Sequence, residues 1–509
     1  MTIHVSAQTA RTVSLCLGAG KDAFYFLPEP KAWTLWRGDE IIASGTTDRV
    51  VTFLDGLAPA THYRFALDGE TPCEFATPPC AGDVDIRDHG ATPDALNNAD
   101  AIAAAVAAVS IGGTLRVPAG RWKTGPIFLK SDMVLQLDEG ATLAFITDRD
   151  SIPILPARTE AGTMLGSWEG LPDACFASLI TALYCKGLHI TGRGTLDGGG
   201  ADGDWWDWPK ETRDGARRPR TLFMNGCESV SISGITVCNS PSWTIHPLYC
   251  KDITFSALKV QNPADSPNTD GLDPECCDGV LIEGVHFTVG DDCIAIKACK
   301  RGPNREDDHI RPCTDITVRH CFMERGHGAV VIGSEMSGSV TNVTIEHCEF
   351  LGTDRGLRLK TRRGRGGEIA NISLRRCKMD QVDTAIVANC FYFCDADGKS
   401  EWVQSRSPYP VDQSTPHIHD ITIRDVTIDN VRVAVGAFYG LPEAPITDVS
   451  IRAVTATFDD SESGDVPVMA LEIPVCHHES IVSHFADLTI ENCSFLPSDQ
   501  LNQEQANQC

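Results

Sequence analysis

CTDITV (313–318), VTNVTI (340–345) and IANISL (369–374) are copies of one pattern: apolar, any residue, Asn or Asp, apolar, any residue, apolar. Upstream it recurs as CKGLHI (185–190), CESVSI (227–232), CKDITF (250–255) and CDGVLI (277–282), and downstream as IHDITI (418–423), ITDVSI (446–451) and FADLTI (485–490). Several copies carry Gly or Ser at the third position. Intervals between copies cluster at 23–29 residues, with longer ones of 36, 39, 42 and 49. Strand-type alternation in ten copies predicts an all-β parallel solenoid, in which each coil buries its apolar face only by stacking on its neighbours. Leucine-rich repeats are the rival, but their leucine spacing and their helices are missing. Cysteine recurs at a later inward position of the repeat (Cys321, Cys348, Cys377, Cys493), as expected for stacks of small apolar side chains.

Before the repeats, residues 94–109 have helical periodicity with an acidic first turn, so one amphipathic helix is expected there. Residues 112–120 and 133–137 read as short strands. The first 78 residues alternate apolar and polar positions between turn signals and predict a separate small β domain. Within it, Leu57, Pro59, Thr61 and Tyr63 resemble the signature of fibronectin type III sandwiches. The expected division is a β-sandwich over 1–80 and a solenoid catalytic domain over 81–509, joined near Pro78-Pro79.

The chain of 509 residues has 43 Lys+Arg against 69 Asp+Glu, a formal charge of −26. It repels polyanions as a whole, so broad nucleic-acid binding is not expected. No run of eighteen apolar residues predicts a membrane span. The N-terminus lacks a basic segment followed by an apolar core, so a cytoplasmic location is expected, with export by a signal of another kind as the alternative. The 21 cysteines then read as reduced, buried thiols. Cys276/Cys277 and Cys390/Cys394 have no second pair at zinc-finger spacing, and no metal or cofactor is expected.

The chemistry concentrates in residues 262–299. Asp270 lies 21 and 22 residues before Asp291 and Asp292, close to one coil. Stacked coils sit ~4.8 Å apart, so these carboxylates can converge on one face. Carboxylates that close cannot all ionise freely, which is the basis of acid/base cleavage of a glycosidic bond. Asp291 and Asp292 are consecutive and would point to opposite faces of a regular strand, unless Gly290 permits a bulge. The plainer alternative is that Asp270 and Asp273 cap a turn. His327 stands between two glycines. Residues 355–365 hold six basic side chains and no acidic one. Arg358 and Lys360, two apart, share a strand face and suit a carboxylate-bearing substrate.

Asn268-Thr-Asp270, Gly290-Asp-Asp292, Gly326-His-Gly328 and Arg358-Leu-Lys360, in this order on successive coils, resemble the polygalacturonases of glycoside hydrolase family 28. Arg218-Pro219 and residues 239–243 are similar to family positions too. The resemblance implies a right-handed parallel β-helix that hydrolyses α-1,4-linked galacturonan with inversion and without a metal. It implies Asp291 as general acid, Asp270 and Asp292 as the pair that holds and deprotonates water, and His327 as the group tuning the acid. Arg358 and Lys360 would grip a galacturonate carboxylate, and Asn268 and Tyr392 would contact substrate. Inverting pairs generally stand ~6.5–9.5 Å apart, whereas adjacent coils suggest less. The partner expected is an anionic oligo- or polysaccharide, and oligomeric state is not readable. Long intervals around 299–312 and 390–417 resemble the exo-acting branch, because loops that close a groove confine cutting to a chain end. Three rivals stand beside this: a calcium-dependent pectate lyase, a hydrolase of rhamnogalacturonan or xylogalacturonan, and a non-enzymatic carbohydrate-binding solenoid.

Overall fold

The computed structural model of the chain describes residues 3–18, 20, 23–302 and 307–497. The hexapeptide copies from 227 onward lie in strands but for a first residue in some, the copy at 185–190 only enters one at His189, and the strands stack in parallel register: Ile316 opposite Val343 opposite Ile372, and Val318 opposite Ile345 opposite Leu374. These are the repeat's second and third apolar positions, and all are buried. The Asn/Asp position has a backbone reason. Asp315, Asn342, Asn371, Asp420 and Asp448 all have φ between 54° and 58°, where Asn and Asp are tolerated better than other side chains. Their side chains also bond along the stack, Asn371 Nδ2 to Asn342 Oδ1 (2.7 Å) and Asn342 Nδ2 to Asp315 Oδ1 (3.0 Å).

The recurring cysteine follows a second left-handed corner at His320, His347 and Arg376. Cys321, Cys348 and Cys377 are buried, and each thiol donates to the carbonyl two residues back, at 3.3–3.4 Å. A small side chain with a weak donor fills the corner and covers that carbonyl. Cys493, near the C-terminal end of the stack, is only half-buried.

Among the described residues, twenty-three strands form one continuous, mostly parallel sheet. A second face is built from the strands at 127–129, 180–183, 222–225 and 245–248, continued through single bridges at Leu272 to those at 294–296, 330–333, 355–360, 384–389, 434–439 and 479–484. The architecture is therefore all-β, a parallel β-helix. The helix expected over 94–109 is shorter, Ala99–Ala108. The Asn98 side chain bonds the backbone of Thr92 and Lys123, and Asn97 accepts from Gly125, so these residues tie neighbouring segments and helix begins after them. No helix among the described residues is long and apolar enough to cross a membrane.

Residues ahead of the solenoid form two antiparallel sheets. One orders His4–Gln8, Val13–Cys16 and Val51–Leu54, and the other Glu40–Arg49, Phe26–Arg37, His62–Leu67 and Cys73–Ala76. They share a core of Val13, Leu15, Leu35, Tyr63 and Phe65. This module sits on the solenoid where corners are glycine: a Cβ at Gly284 would lie 2.4 Å from Val51, and one at Gly234 would lie 2.5 Å from Phe53. Buried Glu283 accepts from Ser6 of the module and from Arg319 of the next coil.

Candidate active site

Within each coil, a corner leads into a strand of the second face; Asp270, Asp291, Asp292 and His327 occupy successive corners, and Arg358 and Lys360 lie in the strand Arg355–Lys360. Main-chain bonds lock those corners together. Gly271 N donates to Asp292 O (2.9 Å), Cys293 N to Gly328 O (2.8 Å) and His327 N to Asp291 O (3.0 Å). Asp291 and Asp292 precede the strand Ile294–Ile296 rather than lying in it. One oxygen of each of Asp270, Asp291 and Asp292 lies within 4.8 Å of the others. The glycines beside His327 are required by this crowding. A Cβ at Gly326 would lie 2.8 Å from Asp291 O, and one at Gly328 would lie 3.0 Å from Asp292 Oδ1.

The three carboxylates differ in exposure. Asp291 opens into a cavity of about 710 Å³, which Asn268, His327, Arg358, Lys360 and Tyr392 also line. Asp270 and Asp292 lie beneath it, buried. Asp292 accepts from Lys360 Nζ (2.7 Å), with Arg358 Nη1 at 3.5 Å. Both cations face the Tyr392 ring, 5.3 and 5.5 Å from its centroid. Asn268 Oδ1 accepts from Arg218 (2.6 Å). All eight residues singled out from sequence therefore gather at one place.

Their protonation is divided. Burial pushes the Asp291 carboxyl up, but the His327 hydrogen bond and charge, with Lys360 and Lys297, outweigh it and hold the group at about 2. His327, 3.4 Å away, is raised in turn by that hydrogen bond. Asp270 is raised well above the carboxylate range by burial and by Asp291 and Asp273. Asp273 is pushed up to about 8 by burial, against the pull of Lys297. The cluster thus keeps protons at neutral pH, which is what acid/base chemistry needs.

Sequence reasoning missed Lys297. Its buried ammonium stands 3.9 Å from Asp270, 3.5 Å from Asp273 and 3.4 Å from Glu335, and 4.5 Å from the Trp243 ring centre. Its signal is the register alone: Lys297 follows Ile296, which pairs with Ile332, and so falls in the row of Gly333 and Lys360. The basic run 355–365 also needs correction. Arg355, Arg358 and Lys360 line the cavity, but Arg363 pairs with Glu443, and Arg362 and Arg365 hold Asp395. Those three arginines are buried loop anchors, so the density of charge overstated the substrate-facing part.

Among the described residues, two groups of side chains have the donor density for a cation, the Asp270–Asp291–Asp292 cluster and His4–Cys16–Glu283. In each, protein cations already stand against the carboxylates: Lys360, Arg358 and Lys297 in the first, and Arg319 in the second.

A parallel β-helix with converging carboxylates and a cationic pair in one cavity is the architecture of a polysaccharide-cleaving solenoid. Residues 163–438 match the family model of glycosyl hydrolases family 28, and the chain belongs to that family, the glycoside hydrolases that include the polygalacturonases. It is 31% identical to a probable polygalacturonase of Vitis vinifera over 346 residues, 68% of this chain and 67% of that one. It is 28% identical to an endo-polygalacturonase of Pectobacterium parmentieri, covering 75% of this chain and 88% of the relative. In fold it is similar to the family 28 exopolygalacturonase of Yersinia enterocolitica, with a TM-score of 0.71 at 21% identity, over 97% of this chain and 96% of that one.

Proposed function

We propose that the protein hydrolyses α-1,4-galacturonosyl linkages, acting from a chain end and with inversion. The observation that carries the chemistry is the three carboxylates within 4.8 Å of one another, roofed by Lys360, Arg358 and the cavity. Asp291, the carboxylate that reaches the cavity, protonates the leaving oxygen. The proton it delivers is the one it shares with His327, whose imidazolium restores it. Asp270 and Asp292 hold a water molecule, and Asp292, the carboxylate paired with Lys360 and Arg358, takes its proton as the water oxygen bonds to the sugar carbon. Arg358 and Lys360 bind the uronate carboxylate beside the linkage, with Asn268 and Tyr392 bordering the sugar.

The close spacing of the carboxylates would equally suit a covalent nucleophile. Burial favours inversion: neither Asp270 nor Asp292 lines the cavity, so a water molecule can bridge to the sugar where a side chain cannot. Chain-end action is supported by the segment 154–176, which lies over the earlier coils. Asn225 Nδ2 donates to the carbonyls of Met164 and Leu165, and Arg220 to that of Ser167. Trp168 stacks on Trp243, and His246 and Glu275 beneath are fully buried. The groove is therefore filled on that side. Of the long intervals expected to close it, 299–312 includes residues 303–306, which lie outside the described residues.

The N-terminal module is fibronectin type III-like in this reading. Its three- and four-stranded sheets, and the Tyr63 hydroxyl accepting from Ala58 N at 2.7 Å, support that assignment. The many buried thiols suit a reducing compartment, and with it an enzyme that trims short oligogalacturonides in the cytoplasm. The test is incubation with polygalacturonate and short oligogalacturonides, following reducing ends, product size and the anomer first formed. Asp291→Asn should abolish turnover with the fold intact. Unsaturated products, a retained anomer or an active Asp291→Asn would each sink part of this reading.

A further inference from the structure

Beside the cavity, in ion-pair contact with its lining residue Lys210, stands a single hairpin tip. Ser167–Trp168 pairs antiparallel with Leu171–Pro172, and the two turn residues, Glu169 and Gly170, have φ of 45° and 80°. Positive φ at both central positions is the tight turn that Gly at the second position favours. The tip presses on the solenoid. Lys300 N donates to Gly170 O (3.1 Å), and a Cβ at Gly170 would meet Lys300 N at 2.7 Å and Glu335 at 2.9 Å.

Four charged side chains run through this contact. Lys210 Nζ stands 3.0 Å from Glu169, whose carboxylate is 3.8 Å from Lys300 Nζ. Lys300 donates on its other side to Asp395 (3.1 Å), which Arg362 and Arg365 also hold. These residues come from four separate stretches of chain. Lys210 precedes the strand Leu222–Asn225, and Lys300 follows Ile294–Ile296, so the row passes from one margin of the groove to the other. Lys210 and Asp395, its two ends, both line the catalytic cavity. The Lys300 side chain is largely buried, where ion pairs are poorly screened by salt.

We propose that the row Lys210–Glu169–Lys300–Asp395 is the end wall of the substrate cavity, and that Lys300 is the positioning residue whose two carboxylate partners keep it shut against an internal stretch of galacturonan. The proposal rests on the chain-end reading above and names the residues that enforce it. The wall acts on where a chain can lie, not on bond cleavage. Its loss therefore shows as a change in the kind of product rather than in rate.

The experiment compares the unaltered enzyme with Lys300→Met/Glu169→Gln, Lys300→Arg and Glu169→Gln on long polygalacturonate. Viscosity lost per reducing end and product sizes are recorded at equal bond cleavage, with folding checked by circular dichroism. The unaltered enzyme and Lys300→Arg should release short products with little viscosity loss. The double variant should yield a ladder and lose severalfold more viscosity per bond. Glu169→Gln alone, which leaves Lys300 its Asp395 partner, covers the case in which the double variant does not fold, and should move the same way. Short products only from every folded variant would overturn the wall while leaving chain-end action standing. A ladder from the unaltered enzyme would instead overturn the chain-end reading itself.

Discussion

Replacing Lys360 by Met separates what the cationic pair does for the fold from what it does for the substrate. Lys360 Nζ lies 2.7 Å from Asp292 Oδ2, and the side chains are 9% and 1% exposed. Removing one member of so buried a pair leaves the other as an unpaired interior charge, at a typical cost of ~3–5 kcal/mol. Arg358, still 3.5 Å from the other oxygen, softens the loss, so the lower end of that range, about 3 kcal/mol, is expected. A hydrogen bond to a charged substrate group is worth ~1.5–3 kcal/mol, which adds a fall of roughly tenfold to a hundredfold in kcat/KM. The double variant Lys360→Met/Asp292→Asn removes both charges. It should regain part of the lost stability, because Arg358 then loses the Asp292 charge, and none of the activity. Urea unfolding of the single and double variants, followed by tryptophan fluorescence, gives the first quantity, and reducing-end release from trigalacturonate the second. If the double variant is no more stable than Lys360→Met, the Asp292 charge is not confined as the geometry says and the reasoning fails.

The Asp291–His327 contact raises His327, so its imidazole should titrate above 6.5 by NMR and fall back in Asp291→Asn. The stabilisation from that charge is complete below pH 6.5 and disappears as pH rises through the raised value; it is small, because His327 is 55% exposed. In His327→Gln the shared proton rests on a carboxyl alone, so the alkaline limb of kcat/KM should move to lower pH. Glu283 behaves in the opposite sense. Burial would raise it, but His4, Arg319 and Ser6 hold it at about 2 against an ordinary 4.5. Its contribution is present above pH 4.5 and is lost as pH falls towards 2. Acid should therefore loosen the N-terminal module, seen as faster proteolysis within residues 3–77 at pH 3 than at pH 6, and Glu283→Ala should bring that sensitivity to neutral pH.

The fold was legible because the repeat writes its backbone into side chains. Asn or Asp marks the left-handed kink, the alternating apolar residues mark the buried row, and cysteine recurs after the second corner, in the row that Leu258 and Val285 fill in earlier coils. The site was legible for a related reason. Coil-length spacing brings Asp270 and Asp292 onto neighbouring corners, and glycines flank His327 because the Asp291 carbonyl and Cys293 crowd one side and Val331 and the Asp292 carboxylate the other. What sequence concealed lies in the loops. Nothing local shows that Arg363 answers Glu443, eighty residues on, or that Glu169 meets Lys300. Pairs that far apart have no periodicity to reveal them, so buried anchors and substrate-facing cations read alike. Lys297 was hidden differently: its row could be inferred only once the register to Lys360 was known.

The consecutive aspartates show how local geometry decides chemical role. On a strand, Asp291 and Asp292 would face opposite sides of the sheet, one of them inside the apolar core. In the corner before Ile294–Ile296 both stay with the polar cluster, yet they part: Asp291 reaches the cavity and Asp292 lies buried against Lys360. Only the first can meet a leaving oxygen. That division requires the chain at Gly290 to press against the preceding turn, where a Cβ would lie 2.5 Å from Ser266 O and 2.6 Å from Pro263 O. Backbone cannot yield there as a flexible side chain would, so Gly290→Ala must push the corner outward. A displacement of about 1 Å at a reacting group costs on the order of a hundredfold in rate. Gly290→Ala should accordingly lose kcat far more than substrate affinity, with Asp292 drawn away from Lys360. Unchanged kcat in a folded Gly290→Ala enzyme would mean that the corner is compliant and that some other contact sets the two carboxylates apart.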